Sequence, residues 1–212
     1  MVVALHSQSK KIKCWKCSQE TTSLIFCDRC HSIQDYHVGT SISHYEVLNL
    51  PETLIIDENK LRHQFYELSK KLHPDRFVNE NHPAPQYALR WTTALNRAYQ
   101  TLKNREERTQ YLVEKYLGAS PQAAKAAIPT DLAEAYFEVQ DLLSEGHTEP
   151  LLKFRAEIEN QMEESQARWN ELAQMFDQGP NKIQAAESLR KHENREKYIR
   201  SMLSDIERKV TS

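Results

Sequence analysis

The sequence predicts an all-α protein: a helical hairpin, then a C-terminal three-helix bundle, with a small cysteine-rich segment in front. Three observations carry that reading. The 212 residues hold only 4 glycines and 8 prolines, too few for a turn-rich β fold. Apolar residues recur at helical spacing in five separate stretches. All four cysteines fall between residues 14 and 30, as two C-x-x-C pairs. Composition divides the chain at about residues 42 and 118, giving segments 1–42, 43–118 and 119–212. Their formal charges are +2, +1 and −5, and an acidic C-terminal half disfavours nucleic acid as a partner. No stretch approaches eighteen apolar residues, which argues against a membrane partner. Met1 to Lys13 holds basic and serine residues but no acid; it is too short for a secretory signal, and a trimmed organelle-targeting remnant stays open.

The first segment is read from its sulfurs. Cys14-x-x-Cys17 and Cys27-x-x-Cys30 are nine residues apart, and two such turns supply four thiolates to one tetrahedral ion. One structural Zn²⁺ is the expected cofactor, supplying most of the folding energy of a segment too small for a core. Leu24, Ile25 and Phe26 are expected to form a short hairpin. Three other readings stay open. Cys27-Asp28-Arg29-Cys30-His31 also spells the c-type haem pattern, and the pairs could form a redox dithiol or hold an iron–sulfur cluster. Self-association into a homodimer through this segment is likewise open.

In the second segment Asp57 is placed to cap a helix running to about Leu72, with Leu61, Phe65, Leu68 and Leu72 on one arc. A second helix, roughly residues 86–103, brings Trp91, Leu95, Ala98 and Leu102 to one side. The two stripes are expected to pack antiparallel, with His73-Pro74-Asp75 in the turn. Lys60, His63, Lys70 and Lys71 share an arc away from the apolar stripe, broken only by Glu67. Such a strip steers an acidic partner and weakens with salt, although exposed lysines alone more often only solvate a helix.

A His-Pro-Asp turn is weak by itself, but its setting is specific. It follows Leu68-Ser69-Lys70-Lys71-Leu72 and precedes Arg76-Phe77. Tyr45-Glu46-Val47-Leu48 lies upstream, and Leu95-Asn96-Arg97-Ala98-Tyr99 lies in the second helix. Residues 44–117 resemble the J-domain. That resemblance implies four helices and no enzymatic activity of the chain's own. It also implies that His73, Pro74, Asp75 and Arg76, with the basic strip, bind a DnaK-type chaperone and stimulate its ATPase.

The third segment shows three stripes: Leu132, Tyr136, Val139 and Leu143; Ile158, Met162, Trp169, Leu172 and Phe176; and Ile199, Leu203, Ile206 and Val210. Opposite the first lie Ala133, Glu134, Phe137, Glu138 and Asp141, an aromatic ringed by carboxylates. It is either a docking anchor or an ordinary exposed ring.

A J-type segment followed by a short acidic bundle resembles the HscB (Hsc20) co-chaperones of iron–sulfur cluster assembly, some of which carry a tetracysteine extension. The resemblance implies that the bundle binds an IscU-type scaffold and that the chain delivers it to a DnaK- or HscA-type chaperone. By alignment the scaffold contacts are Ala133, Glu134, Phe137, Glu138 and Asp141, with Met202 from the last helix. Ala133 and Glu134 replace larger apolar residues usual there, which would weaken or shift docking. The alternative is a general J-domain co-chaperone for other clients. The expected location is the cytoplasm of a bacterium, or otherwise the mitochondrial matrix. Cys14→Ser with Cys17→Ser is expected to release one metal while chaperone stimulation persists.

Overall fold

The structure is a computed structural model that describes residues 11–36, 42–80, 82–119, 129–145 and 148–210. Ser120 and Pro121 just past the boundary at residue 118, the residues before Lys11 and the side chain of Val210 lie outside that description. The chain forms two compact units, residues 1–51 with 57–103, and residues 52–56 with 104–212. The break after Lys103 falls inside the segment read as one domain from the sequence.

The first unit begins with strands β1 (Ile12–Lys13) and β2 (Glu20–Thr21), paired antiparallel with Ile12 opposite Thr21. The paired strands flank the first C-x-x-C, and a single bridge between Phe26 and Ile33 flanks the second. The expected hairpin over residues 24–26 is therefore reduced to Phe26, because the pairing encloses each cysteine turn and does not fill the gap between them. Helix α1 (His44–Val47) starts in a capping box: Ser43 Oγ accepts from the Glu46 N–H at 3.2 Å, and the Glu46 carboxylate accepts from the Ser43 N–H at 2.7 Å. Asp57 caps α2 (Glu58–Leu72) as its position predicts, accepting from the N–H groups of Asn59 and Lys60. Helix α3 (Ala84–Lys103) presents Ala88, Trp91, Leu95, Ala98 and Leu102 as a fully buried stripe. It packs on α2, where Phe65 and Tyr99 stack with centroids 4.1 Å apart.

The second unit holds α4 (Arg105–Leu117), α5 (Ala133–Glu145), α6 (Thr148–Gln178) and α7 (Lys182–Val210). Asn104 caps α4 through the N–H groups of Glu106 and Glu107. Helices α5, α6 and α7 bury Leu132, Val139, Leu151, Ile158, Ile199, Met202 and Ile206 in one core. At the end of α6 the Gly179 N–H donates to the Met175 carbonyl at 2.8 Å, and a Cβ on Gly179 would stand 2.3 Å from that oxygen. Only glycine fits there. Helix α4 is tied to the bundle by polar contacts: Trp169 Nε1 donates to Thr109 Oγ1 at 3.1 Å, and Arg105 pairs with the buried Glu196. Arg108 Nε donates to the Leu54 carbonyl at 2.9 Å, while the Asp177 carboxylate accepts from the Leu54 and Ile55 N–H groups and the Thr53 hydroxyl.

Candidate functional site

Three places bear on function, and the structure puts two of them in the first unit. The turn between α2 and α3 is built around His73, which ends α2 and caps the following 3₁₀ turn, Pro74–Phe77. Its Nδ1 accepts from the Asp75 N–H at 3.3 Å and stands 3.5 Å from Asp75 Oδ2. Proline at the first position of that turn has the required φ and forfeits no hydrogen bond. Two anchors hold the turn from below. Phe77 is buried, and the Thr92 hydroxyl donates to the Leu72 carbonyl at 3.1 Å. His73, Pro74, Asp75 and Arg76 are all exposed, as are Lys60, His63, Lys70 and Lys71 on α2. Lys70 leans onto Glu67 at 3.1 Å, so part of the basic strip is neutralised locally.

The four cysteines form a second site. The two turns repeat each other closely. In each, the residue after the second cysteine is left-handed, Ser18 at φ 60° and His31 at φ 56°. Its N–H donates to the first cysteine's carbonyl, from Ser18 to Cys14 at 2.9 Å and from His31 to Cys27 at 3.0 Å. The first cysteine's N–H closes the loop onto Gln19 or Ser32, each at 2.9 Å. The four sulfurs lie within 4.8 Å of one another, with Cys14 to Cys30 at 3.6 Å and Cys17 to Cys27 at 3.8 Å. A tetrahedral ion with sulfur bonds of about 2.3 Å needs edges of about 3.8 Å, so the thiol set fits a metal ion. Burial alone would raise the Cys14 thiol, yet the Ser32 hydroxyl and the N–H groups of Cys17 and Lys16 bring it down to about 5. Donors thus favour the thiolate a metal requires at Cys14 and Cys30, whereas at Cys17 the Gln19 N–H is outweighed by burial and the neighbouring sulfurs, which push that thiol up to about 11.

Residues that the sequence did not single out complete this site. Asp28, inside the second pair, accepts from the Thr21 hydroxyl at 2.8 Å and the Thr22 N–H at 3.1 Å, which hold its carboxyl below the usual range. Gln34 is buried, and its amide nitrogen donates to Cys14 Sγ at 3.4 Å. No local spacing marks Gln34, because its partner lies twenty residues away.

The third place is the outer face of α5. Glu134, Phe137, Glu138 and Asp141 are exposed, Phe137 at 59%, and Ala133 is half-buried. The Phe137 ring is backed edge-on by Tyr136 at 6.0 Å. Met202, expected on the same docking surface, is not there. It is fully buried beside Leu132 and Val139, because Ile199, Met202 and Ile206 share the inward stripe of α7. That expectation is corrected: Met202 is a core residue.

Residues 43–111 match the DnaJ domain model. A co-chaperone protein HscB homolog from Paraburkholderia xenovorans (strain LB400) is 26% identical over 170 residues, covering 78% of this chain and 95% of the relative. One from Psychromonas ingrahamii is 39% identical over 72 residues, 34% of this chain and 43% of the relative. Among solved structures, the human co-chaperone protein HscB aligns with a TM-score of 0.70 at 18% identity, covering 93% of this chain and 98% of that one. Chaperone HscB from Vibrio cholerae aligns at 0.55 and 20% identity, covering 79% and 96%. The structural likenesses establish the fold, and the sequence match places the exposed His-Pro-Asp turn in a DnaJ domain over residues 43–111; over most of its length the chain is similar to the HscB co-chaperones.

Proposed function

We propose that this chain stimulates the ATPase of a DnaK- or HscA-type chaperone and delivers an IscU-type scaffold to it during iron–sulfur cluster assembly and transfer. The observation that carries the proposal is the exposed His73-Pro74-Asp75 turn, pinned by Phe77 and Thr92 and flanked by the basic side chains of α2. The chaperone performs the hydrolysis, and this chain contributes binding energy and orientation. His73 keeps the turn closed through the Asp75 N–H, while Lys60, His63, Lys71 and Arg76 offer positive charge to an acidic partner surface. Phe137, ringed by Glu134, Glu138 and Asp141, is the anchor for the scaffold. The single aromatic and the acidic Glu134 make that face narrower than an extended apolar patch, which favours modest scaffold affinity. The same narrowness is what a general co-chaperone for other clients would show. The four cysteines hold one structural Zn²⁺, whose role is to fold residues 12–34. The compartment is the cytoplasm if the host is a bacterium.

Single-turnover ATP hydrolysis by the chaperone, with and without the scaffold, tests this reading. Stimulation by this chain that rises synergistically with scaffold is expected. His73→Gln should abolish stimulation while leaving helicity and scaffold titration unchanged. Stimulation by the His73→Gln variant equal to the parent's would sink the proposal.

A further inference from the structure

The cysteine segment is not an isolated appendage, because it shares a compact unit with the α2–α3 hairpin. The contact centres on Gln34, which is 2% exposed. Its side-chain nitrogen lies 3.4 Å from Cys14 Sγ, 2.8 Å from the Ser32 carbonyl and 3.2 Å from the Ser32 hydroxyl. Its backbone carbonyl accepts from the indole N–H of Trp91 at 2.9 Å, in a fully buried bond. Trp91 is the largest side chain in the α3 stripe, and Tyr36 packs edge-on against it at 4.9 Å. The next residue, Thr92, holds the Leu72 carbonyl, one peptide before His73. One residue thus touches a cysteine sulfur with its side chain and the hairpin core with its backbone. Around this axis, Asp35 pairs with Arg90 at 2.9 Å and Trp15 meets Tyr87 edge-on at 6.1 Å. Lys16, between the first two cysteines, stands 3.8 Å from Glu80, just beyond the His-Pro-Asp turn.

We infer that Gln34 is a positioning residue through which metal binding at the four cysteines steadies the chaperone-binding turn, so that the strength of chaperone stimulation depends on metal occupancy. The inference rests on the proposed chaperone-stimulating role and reverses the expectation that the turn is indifferent to the cysteines. Its physical basis is the donor on Trp91. A segment with two two-residue strands and almost no core stays folded only while the metal ties its turns together. When it loosens, the Trp91 N–H loses its buried acceptor and one side of the α3 stripe loses its cover. Trp91 and Thr92 then hold the end of α2 less firmly, and the turn samples conformations that do not fit the chaperone. The effect falls on affinity, since the tripeptide itself is intact.

Hydrogen exchange on the full chain, loaded with Zn²⁺ or treated with a zinc chelator, tests the link without reference to activity. Chelation is expected to lower protection at Trp91, Thr92 and the end of α2 by about tenfold, the scale of one lost buried hydrogen bond. Protection in α7 should not change. Gln34→Met keeps all four cysteines and the backbone carbonyl, and serves as the variant that stays folded. It should retain one Zn²⁺ per chain, lose about two- to fivefold of the Trp91 protection and raise the half-saturating concentration for ATPase stimulation. Its maximal stimulation should stay unchanged. Equal protection of α3 in the loaded and chelated protein, or a Gln34→Met variant identical to the parent in exchange and half-saturation, overturns the inference. Failure of the loaded parent to stimulate any DnaK-type chaperone would instead remove the proposed function, and the exchange result would still report on the link.

Discussion

Phe137 and Met202 sit on helices of one bundle and face opposite ways, and that difference fixes what each substitution should do. Phe137 is 59% exposed, so Phe137→Ala trims the proposed scaffold anchor with little effect on the fold. It should weaken scaffold binding by about 1–3 kcal/mol in a calorimetric titration and leave the denaturation midpoint within about 0.5 kcal/mol of the parent. Met202→Ala should do the reverse. It opens a cavity beside Leu132, Val139 and Ile158 and should cost about 2–5 kcal/mol of stability in urea. Binding per folded molecule should hardly change. The burial of Met202 was readable from the sequence, since Ile199, Met202 and Ile206 fall at i, i+3 and i+7. Alignment to a distant family pointed outward because a slip of one residue turns a helical side chain by about 100°. His73-Pro74-Asp75 was legible because its chemistry lies in three consecutive residues. Gln34 was not, because its meaning comes from Cys14 and Trp91, twenty and fifty-seven residues away.

At the scale of elements, capping chemistry located α2 accurately: Asp57 precedes it and Leu72 ends it. The strand pair around the first cysteine turn and the single bridge around the second left almost no sequence signal, as elements of one or two residues have no periodicity to read. The left-handed Ser18 and His31 are equally silent, since glycine would be the usual marker of that backbone region. Helix α7 carries another feature that composition hides. His192, Glu193 and Glu196 gather near its middle with Ser165 of α6 and Arg105 of α4, and His192 Nε2 stands 3.2 Å from Glu196. Burial, with repulsion from Glu196, pushes the Glu193 carboxyl up to about 7 against the opposing pull of Arg105. Its folded value exceeds its unfolded value of 4.5, so folding favours the protonated form. The stability it contributes is complete below about 4.5 and is lost as pH rises through about 7. Glu193→Gln keeps the shape and cannot ionise. It should raise the melting temperature at pH 8 by a few degrees, corresponding to about 1 kcal/mol after allowance for partial exposure. That gain should fade as the pH approaches 4.5. A gain of equal size at both pH values would mean that packing, and not charge, is responsible.

For the molecule as a whole, the division between units does not follow the division of the sequence. Residues 43–118 read as one domain, and the DnaJ match spans 43–111, yet α4 belongs with the bundle. The reason lies in what α4 binds. Thr109 receives the Trp169 indole, Arg105 pairs with Glu196 and lies 5.1 Å from the Trp169 ring, and Arg200 reaches Glu106. The Arg190 guanidinium donates to the Gly118 carbonyl at 2.8 Å, closing the helix's end. A fragment ending at Gly118 would lose every one of these partners. With 13 residues, α4 is also near the length at which an isolated helix is only marginally stable in water. Amide exchange should therefore be at least about tenfold faster across residues 105–117 in the fragment than in the full chain. The α2–α3 hairpin, whose Phe65, Trp91, Leu95 and Tyr99 packing is internal to the first unit, should keep its protection in the metal-loaded fragment. Unchanged protection of α4 in the fragment would show that its stability does not come from α6 and α7. Loss confined to α4 would mean that a fragment cut at the sequence boundary carries the His73-Pro74-Asp75 turn intact, but on a domain whose last helix has come loose.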